Sequence, residues 1–241
     1  MIISIAGDNR IYDKMVVLLN NLYKSQSSLK KIYCIIGDNE LPGFKPYEDK
    51  PDLVKFININ KSEEFNSIME KVPDLGVWGK MTCARLYFPK LLPCDKIIYL
   101  DVDTFVRKSL DELWELDMTN YYIAGVQDFG WYRFGWCSEP ALQGIKCYIN
   151  AGVLVMNLKK MREDNLMNKF FLLLTSFNLS FPDQHVLNLT CNGKIYYLDT
   201  RYNPCHLNGY VTDPIIYHGT LYKPWDPRCE WHEDWKQNIS I

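Results

Sequence analysis

Three features are missing from this chain of 241 residues: charge of one sign, a long apolar run, and cysteines at metal-binding spacing. Lys+Arg 27 against Asp+Glu 29 leaves a formal net charge of −2. Nucleic-acid proteins usually carry a marked basic excess, so no nucleic-acid partner is expected. The most apolar stretch, Phe170–Phe181, is broken by Thr175, Ser176 and Asn178 and falls well short of the ~20 residues a spanning helix takes. No transmembrane segment is expected. The start, Met-Ile-Ile-Ser-Ile-Ala-Gly-Asp, has no basic region ahead of its short apolar run and does not read as a signal peptide. None of the 8 cysteines forms a Cys-x-x-Cys pair, which argues against a zinc knuckle or a thioredoxin-type redox site. Without an export signal the thiols are read as reduced, and a cytoplasmic location is expected.

What is present is ordinary globular material. Apolar residues make up 47% and charged residues 23%, which excludes disorder and collagen-like structure. The 14% aromatic content, with 7 Trp and 16 Tyr, is high. Most of these rings belong in a core, and a sugar or base site is a reasonable use for the remainder.

Short apolar runs predict strands at 2–6, 31–36, 52–59, 96–100, 123–126, 152–157, 195–198 and 214–217. Helical spacing falls at 11–25, 80–87 (stopped by Pro89), 158–177 and 183–191. Leu41–Pro51, rich in proline and charge, reads as a loop. Alternating strands and helices predict one α/β domain with a largely parallel sheet. Ligands of such sheets sit beyond the carboxyl ends of the strands, where Asp8, Asp101 and His218 each follow an apolar run.

The strongest local signal is Ile97-Ile98-Tyr99-Leu100-Asp101-Val102-Asp103. On an extended chain residues i and i+2 face the same way, so both carboxylates converge as the strand ends. Such a pair suits a hard divalent cation with positions left open for substrate oxygens. The same pattern fits the nucleophile loop of a haloacid-dehalogenase-type phosphatase, although that loop normally opens the chain. It also overlays a calcium loop, but Phe105 and Val106 occupy the ligand and glycine positions. His218, in Tyr217-His218-Gly219-Thr220-Leu221-Tyr222-Lys223-Pro224-Trp225, adds an imidazole, which makes the set tolerant of Mn²⁺. The bland readings are an acidic turn at 101–103, a helix cap at Asp8, a turn residue at Asn150 and a helix N-terminus at Asp183.

Taken in series, these motifs make the chain similar to the retaining glycosyltransferases of family 8, from Ile2 to about Trp225. The resemblance implies a single-domain, Rossmann-like GT-A fold over 1–225, with a mostly parallel mixed sheet flanked by helices. Residues 226–241 would form a tail packed on or near it. It implies a UDP-sugar donor and Mn²⁺, with Mg²⁺ as the alternative, held by Asp101, Asp103 and His218. Ala6, Asp8, Asn9 and Tyr12 match the segment that holds uracil and ribose, with Tyr12 the aromatic on the base. Arg85 matches the arginine that braces donor sugar and phosphates, with Lys80 a weaker match. Val102 lies between the two carboxylates of the donor site. Asn150, Ala151 and Gly152 match the sugar-binding turn, and Gly219 and Lys223 the diphosphate-contacting segment. Asp183 and Gln184 match the pair beside the anomeric carbon, and Asp128 an acidic position facing the donor sugar; these three are the catalytic candidates.

The activity this implies is transfer of a hexose, glucose or galactose, to a hydroxyl of a glycan, glycolipid or protein acceptor. Acceptor contacts are expected from the aromatic stretch Phe129–Leu142, with Trp131, Tyr132, Phe134 and Trp136. Two alternatives stay open, the Asp-x-Asp phosphatase and a non-catalytic module that binds a UDP-sugar. Oligomeric state is open, with a dimer compatible.

Overall fold

The structure is a computed structural model that describes residues 1–37, 47, 50–73, 75, 79–133, 135, 142, 144–205 and 209–239. Among the described residues nine strands carry it: β1 (Ile2–Gly7), β2 (Lys31–Ile36), β3 (Val54–Asn58), β4 (Lys96–Leu100), β5 (Thr104–Val106), β6 (Ile123–Gly125), β7 (Val153–Asn157), β8 (Ile195–Tyr197) and β9 (Ile216–His218). Seven of them form one sheet in the order β3-β2-β1-β4-β7-β6-β8. Strands β3, β2, β1 and β4 run parallel, β7 is antiparallel to both its neighbours, and β8 is parallel to β6. This is the expected α/β fold with a mixed, mostly parallel sheet.

The central strands read as unbroken apolar runs because both faces of the sheet are covered. Successive residues go to opposite layers. Ile97 and Tyr99 of β4 pack in one cluster with Ile35, Leu154 and Met156, while Ile98 and Leu100 pack in the other with Ile3, Ile5 and Val155. The first helix, Tyr12–Ser25, presents Met15, Leu18, Leu19 and Leu22 to the second of these layers.

The chain order reverses between β1 and β4, so a crevice opens beyond their carboxyl ends. Because β7 is antiparallel, its start lies at that same edge, with Val153 opposite Leu100. A second, two-stranded sheet pairs β5 with β9 and sets Thr104 opposite His218. The imidazole is thereby delivered to the residue after the Asp-x-Asp turn.

Several expected boundaries shift. Residues 80–87 form a 3-10 helix, and Pro89, expected to stop a helix, lies in the first turn of the short α-helix Phe88–Leu91. A proline in a first turn loses no hydrogen bond, since those N–H groups have no intrahelical partner anyway. The long helix expected over 158–177 is two helices, Leu158–Glu163 and Leu166–Ser176. They break at Asn165, whose φ of 52° is left-handed, a conformation asparagine tolerates better than most residues. The last strand begins two residues later than expected, at Ile216. The Leu41–Pro51 loop lies mostly outside the described residues.

Near the C-terminus, Trp235 packs on Val17 and Phe105, and Asn20 Nδ2 of the first helix donates to the Asn238 carbonyl (2.7 Å). No helix among the described residues is long and apolar enough to cross a membrane.

Candidate donor and metal site

Asp101 leaves the end of β4 and its backbone N–H donates to the Gly152 carbonyl at 2.8 Å. That bond joins the Asp-x-Asp turn to the residues that precede β7. The turn is closed by Thr104, whose N–H and hydroxyl both donate to the Asp101 carbonyl. Gly219 N–H then donates to the Asp103 carbonyl at 2.9 Å, holding the segment after β9 against the turn. A side chain at Gly219 would meet backbone atoms of Tyr222 and Lys223 at 2.8 Å, so this close return requires glycine.

The three candidate metal ligands converge. Nε2 of His218 lies 3.3 Å from Oδ1 of Asp103 and 3.9 Å from Oδ2 of Asp101. One ligand atom from each can be chosen so that all lie within 4.8 Å of one another. Two carboxylate oxygens and an imidazole nitrogen facing one point fit a Mn²⁺- or Mg²⁺-sized hard cation. Room for the ring comes from Gly152, where an added Cβ would sit 2.2 Å from His218 Cε1. Burial alone would push the Asp103 carboxyl up, but His218 and Lys223 facing it outweigh that and hold it below the usual carboxylate range. Lys223 Nζ bonds to the second oxygen of Asp103.

Arg85, 5% exposed, joins the acidic residues. Its Nη2 donates to Asp101 Oδ1 at 2.7 Å, its Nη1 to the Ala151 carbonyl at 2.6 Å, and its Nε lies 3.1 Å from Asp183 Oδ2. Burial opposes the guanidinium charge, yet Asp101 and Asp183 together raise its pKa above the ordinary arginine value. The Asp183 carboxyl is shifted upward, chiefly by burial and against the pull of Arg85. Tyr99, stacked under the guanidinium, donates its hydroxyl to the same Asp101 oxygen at 2.5 Å. Asp101 thus keeps Oδ2 toward His218 while Oδ1 is held from behind.

A third group lies toward β6 and β7. Gln184 Oε1 accepts from the Ala151 N–H at 2.9 Å. Asn150 Oδ1 accepts from the Gly152 N–H (2.9 Å), and its Nδ2 donates to Asp128 Oδ2 (3.1 Å). Asp128 Oδ1 accepts from the Gly130 N–H (2.9 Å). Asn203, which is fully buried, donates from Nδ2 to Asn150 Oδ1 at 3.0 Å and faces His218 Nδ1 with its Oδ1 at 2.8 Å.

The structure therefore gathers Arg85, Asp101, Asp103, Asp128, Asn150, Ala151, Gly152, Asp183, Gln184, His218, Gly219 and Lys223 into one connected arrangement. The N-terminal residues are placed differently. Ala6 ends within β1, and Asp8 caps the 3-10 turn Asn9–Ile11 while pairing with Arg10 at 2.7 Å. Tyr12, expected on the base, is 2% exposed and packs in the core as the first residue of the first helix. That position follows from its place at the first turn of a helix whose apolar face is buried. The Val102 side chain is likewise buried in that layer. Lys80 is exposed. Of the aromatic stretch expected at the acceptor, Phe134, Trp136 and the side chains of Trp131 and Tyr132 lie outside the described residues. Asn203 and Tyr99 were not anticipated as site residues. Tyr99 carries a signal in hindsight, since it shares a strand face with Asp101 at i, i+2, whereas Asn203 carries none.

Solved structures share this chain path. An active-site mutant of LgtC superposes with a TM-score of 0.76 at 22% identity, covering 99% of this chain and 95% of that one. The apo glycosyltransferase GlyE of Streptococcus pneumoniae TIGR4 gives 0.71 at 23% identity, covering all of this chain and 60% of that one. Both are glycosyltransferases, and the fold they share with this chain is GT-A. The profile described as Glycosyl transferase family 8 matches residues 2–228, and the chain belongs to that family. Among curated relatives, a putative glycosyltransferase of Haemophilus influenzae is 37% identical over 127 residues, 51% of this chain and 38% of its own length. General stress protein A of Bacillus subtilis is 27% identical over 216 residues, 84% of this chain and 72% of its own. The lipopolysaccharide 1,2-glucosyltransferase of Escherichia coli K12 is 29% identical over 142 residues, 56% of this chain and 41% of its own.

Proposed function

We propose that this protein is a retaining hexosyltransferase that moves glucose or galactose from a UDP-sugar to a hydroxyl of a glycan, glycolipid or protein. Mn²⁺, or Mg²⁺ in its place, would be held by Asp101, Asp103 and His218. The observation that carries this reading is the convergence of His218 Nε2 on the two carboxylates, 3.3 and 3.9 Å away. When bound, the cation would offset charge growing on the departing diphosphate.

The chain's own residues supply the rest. Lys223 offers a cation to the diphosphate, and the close backbone return at Gly219 keeps that segment beside the Asp-x-Asp turn, favouring the state in which the diphosphate charge has developed. Ala6, Asp8 and Asn9, at the end of β1, take the base and ribose. Arg85, Asn150, Ala151 and Gly152 would border the space for the donor sugar, together with Asp128, which accepts from Asn150 Nδ2. A double displacement needs a free carboxylate as nucleophile. Asp183 is engaged by Arg85, whose Nε lies 3.1 Å from its Oδ2, and this pairing blunts it. Same-face attack is favoured instead, with the Gln184 carbonyl oxygen stabilising the positive sugar carbon and the leaving phosphate taking the acceptor proton. The phosphatase alternative would need Asp101 free as nucleophile, and its Oδ1 is already bound by Arg85 and Tyr99.

The test is calorimetric titration of UDP into the purified protein, with Mn²⁺ and then with excess EDTA. Binding that requires the metal is expected, followed by release of UDP from UDP-glucose or UDP-galactose. Binding under neither condition would remove the donor site.

A further inference from the structure

We propose that Asn203 is a positioning residue that fixes which nitrogen of His218 is presented to a cation, an inference that rests on the donor-site reading above. The assignment follows from one unambiguous donor. The Gly152 backbone N–H points at Asn150 at 2.9 Å, so the atom it meets is an oxygen, Oδ1. Asn203 approaches that same oxygen at 3.0 Å, so the atom it sends there is its amide nitrogen. Its other end, 2.8 Å from His218 Nδ1, is then an oxygen, which can only accept. His218 therefore carries its proton on Nδ1, and Nε2 is left to face Asp101 and Asp103. The far end of the relay is anchored as well, since Asn150 Nδ2 donates to Asp128, whose other oxygen accepts from Gly130.

Asn203 is fully buried and lies at the end of a 3-10 turn, Thr200–Tyr202. Its amide is the link between the turn before β7 and the imidazole on β9. A histidine ligand held by an oxygen acceptor on its other nitrogen is fixed in both tautomer and ring angle. Removing such a partner typically weakens metal affinity by about 10–100-fold.

The experiment is a double-mutant cycle read by Mn²⁺ affinity in the presence of UDP, followed through the spin-resonance signal of free Mn²⁺. Asn203→Ala is expected to weaken Mn²⁺ by about 10–100-fold in the native background and less than about 2-fold in His218→Ala, because the two act as one unit. Equal losses in both backgrounds, or no loss in either, would overturn the positioning role. Failure of His218→Ala itself to weaken Mn²⁺ would instead overturn the donor-site reading. A second readout needs no metal and no variant: ¹⁵N spectra of the native protein, at a pH where imidazoles are neutral, should show His218 protonated at Nδ1. Protonation at Nε2 would refute the assignment even if the variants fail to fold.

Discussion

Asp103 meets both His218 and Lys223, while the Oδ1 of Asp101 is spent on Arg85 and Tyr99. Asp103→Ala should therefore abolish metal-dependent UDP binding and leave the circular-dichroism spectrum native; unchanged binding of Mn²⁺ with UDP would contradict the metal site. Gln184 accepts from the Ala151 amide and, under the proposed function, stabilises the sugar carbon, so Gln184→Ala should lower kcat much more than donor affinity. A loss confined to KM would mark it as a ground-state contact. Arg85 is different, because it neutralises two acidic side chains from a buried position. Arg85→Leu leaves those carboxylates unpaired and should cost about 3–5 kcal/mol of stability, read as a lower midpoint in urea. These residues were legible in unequal degree. Asp101 and His218 stand out because each directly follows an apolar run, and Asp103 because it shares the face of Asp101 two residues on. The partners that orient them, Tyr99 and Asn203, sit inside ordinary strand and turn text, and only the fold brings them near.

At the scale of elements, the small β5–β9 sheet and the antiparallel β7 do the assembling. A three-residue strand such as Thr104–Val106 has too little length to show a period, which is why β5 does not stand out in the sequence. The antiparallel direction of β7 is invisible for a similar reason, since a strand buried on both faces is apolar whichever way it runs. Helix ends fared worse than strands. Pro89 and Asn165 act through backbone rules that a periodic pattern overlooks. Gly152, at the junction of β7 with the site, gives a test at this scale. Gly152→Ala drives a methyl to 2.2 Å from the His218 ring. An overpacked site of this kind typically costs about 1–3 kcal/mol. The ring should be displaced, with Mn²⁺–UDP affinity falling more than thermal stability does.

For the whole molecule, the C-terminal residues close onto the first helix through Trp235, Phe105 and the Asn20–Asn238 bond. Trp235→Ala should cost about 3–5 kcal/mol, and because Phe105 belongs to β5, the loss should reach the β5–β9 ladder and weaken Mn²⁺–UDP binding. Differential scanning calorimetry with and without ligand measures both effects. The overall α/β class was plain from alternation of strand and helix signals, whereas the packing of the tail depends on tryptophans whose partners lie far away in the chain. The ion pair between Lys223 and Asp103 spans 120 residues, and His218 reaches its carboxylates across a similar interval. Half a site therefore exists long before the other half has been translated. A nascent or clipped chain ending before β9 would carry the acidic pair and the β1 edge with no imidazole to complete them, so the proposed metal site stays unfinished until β9 has been made.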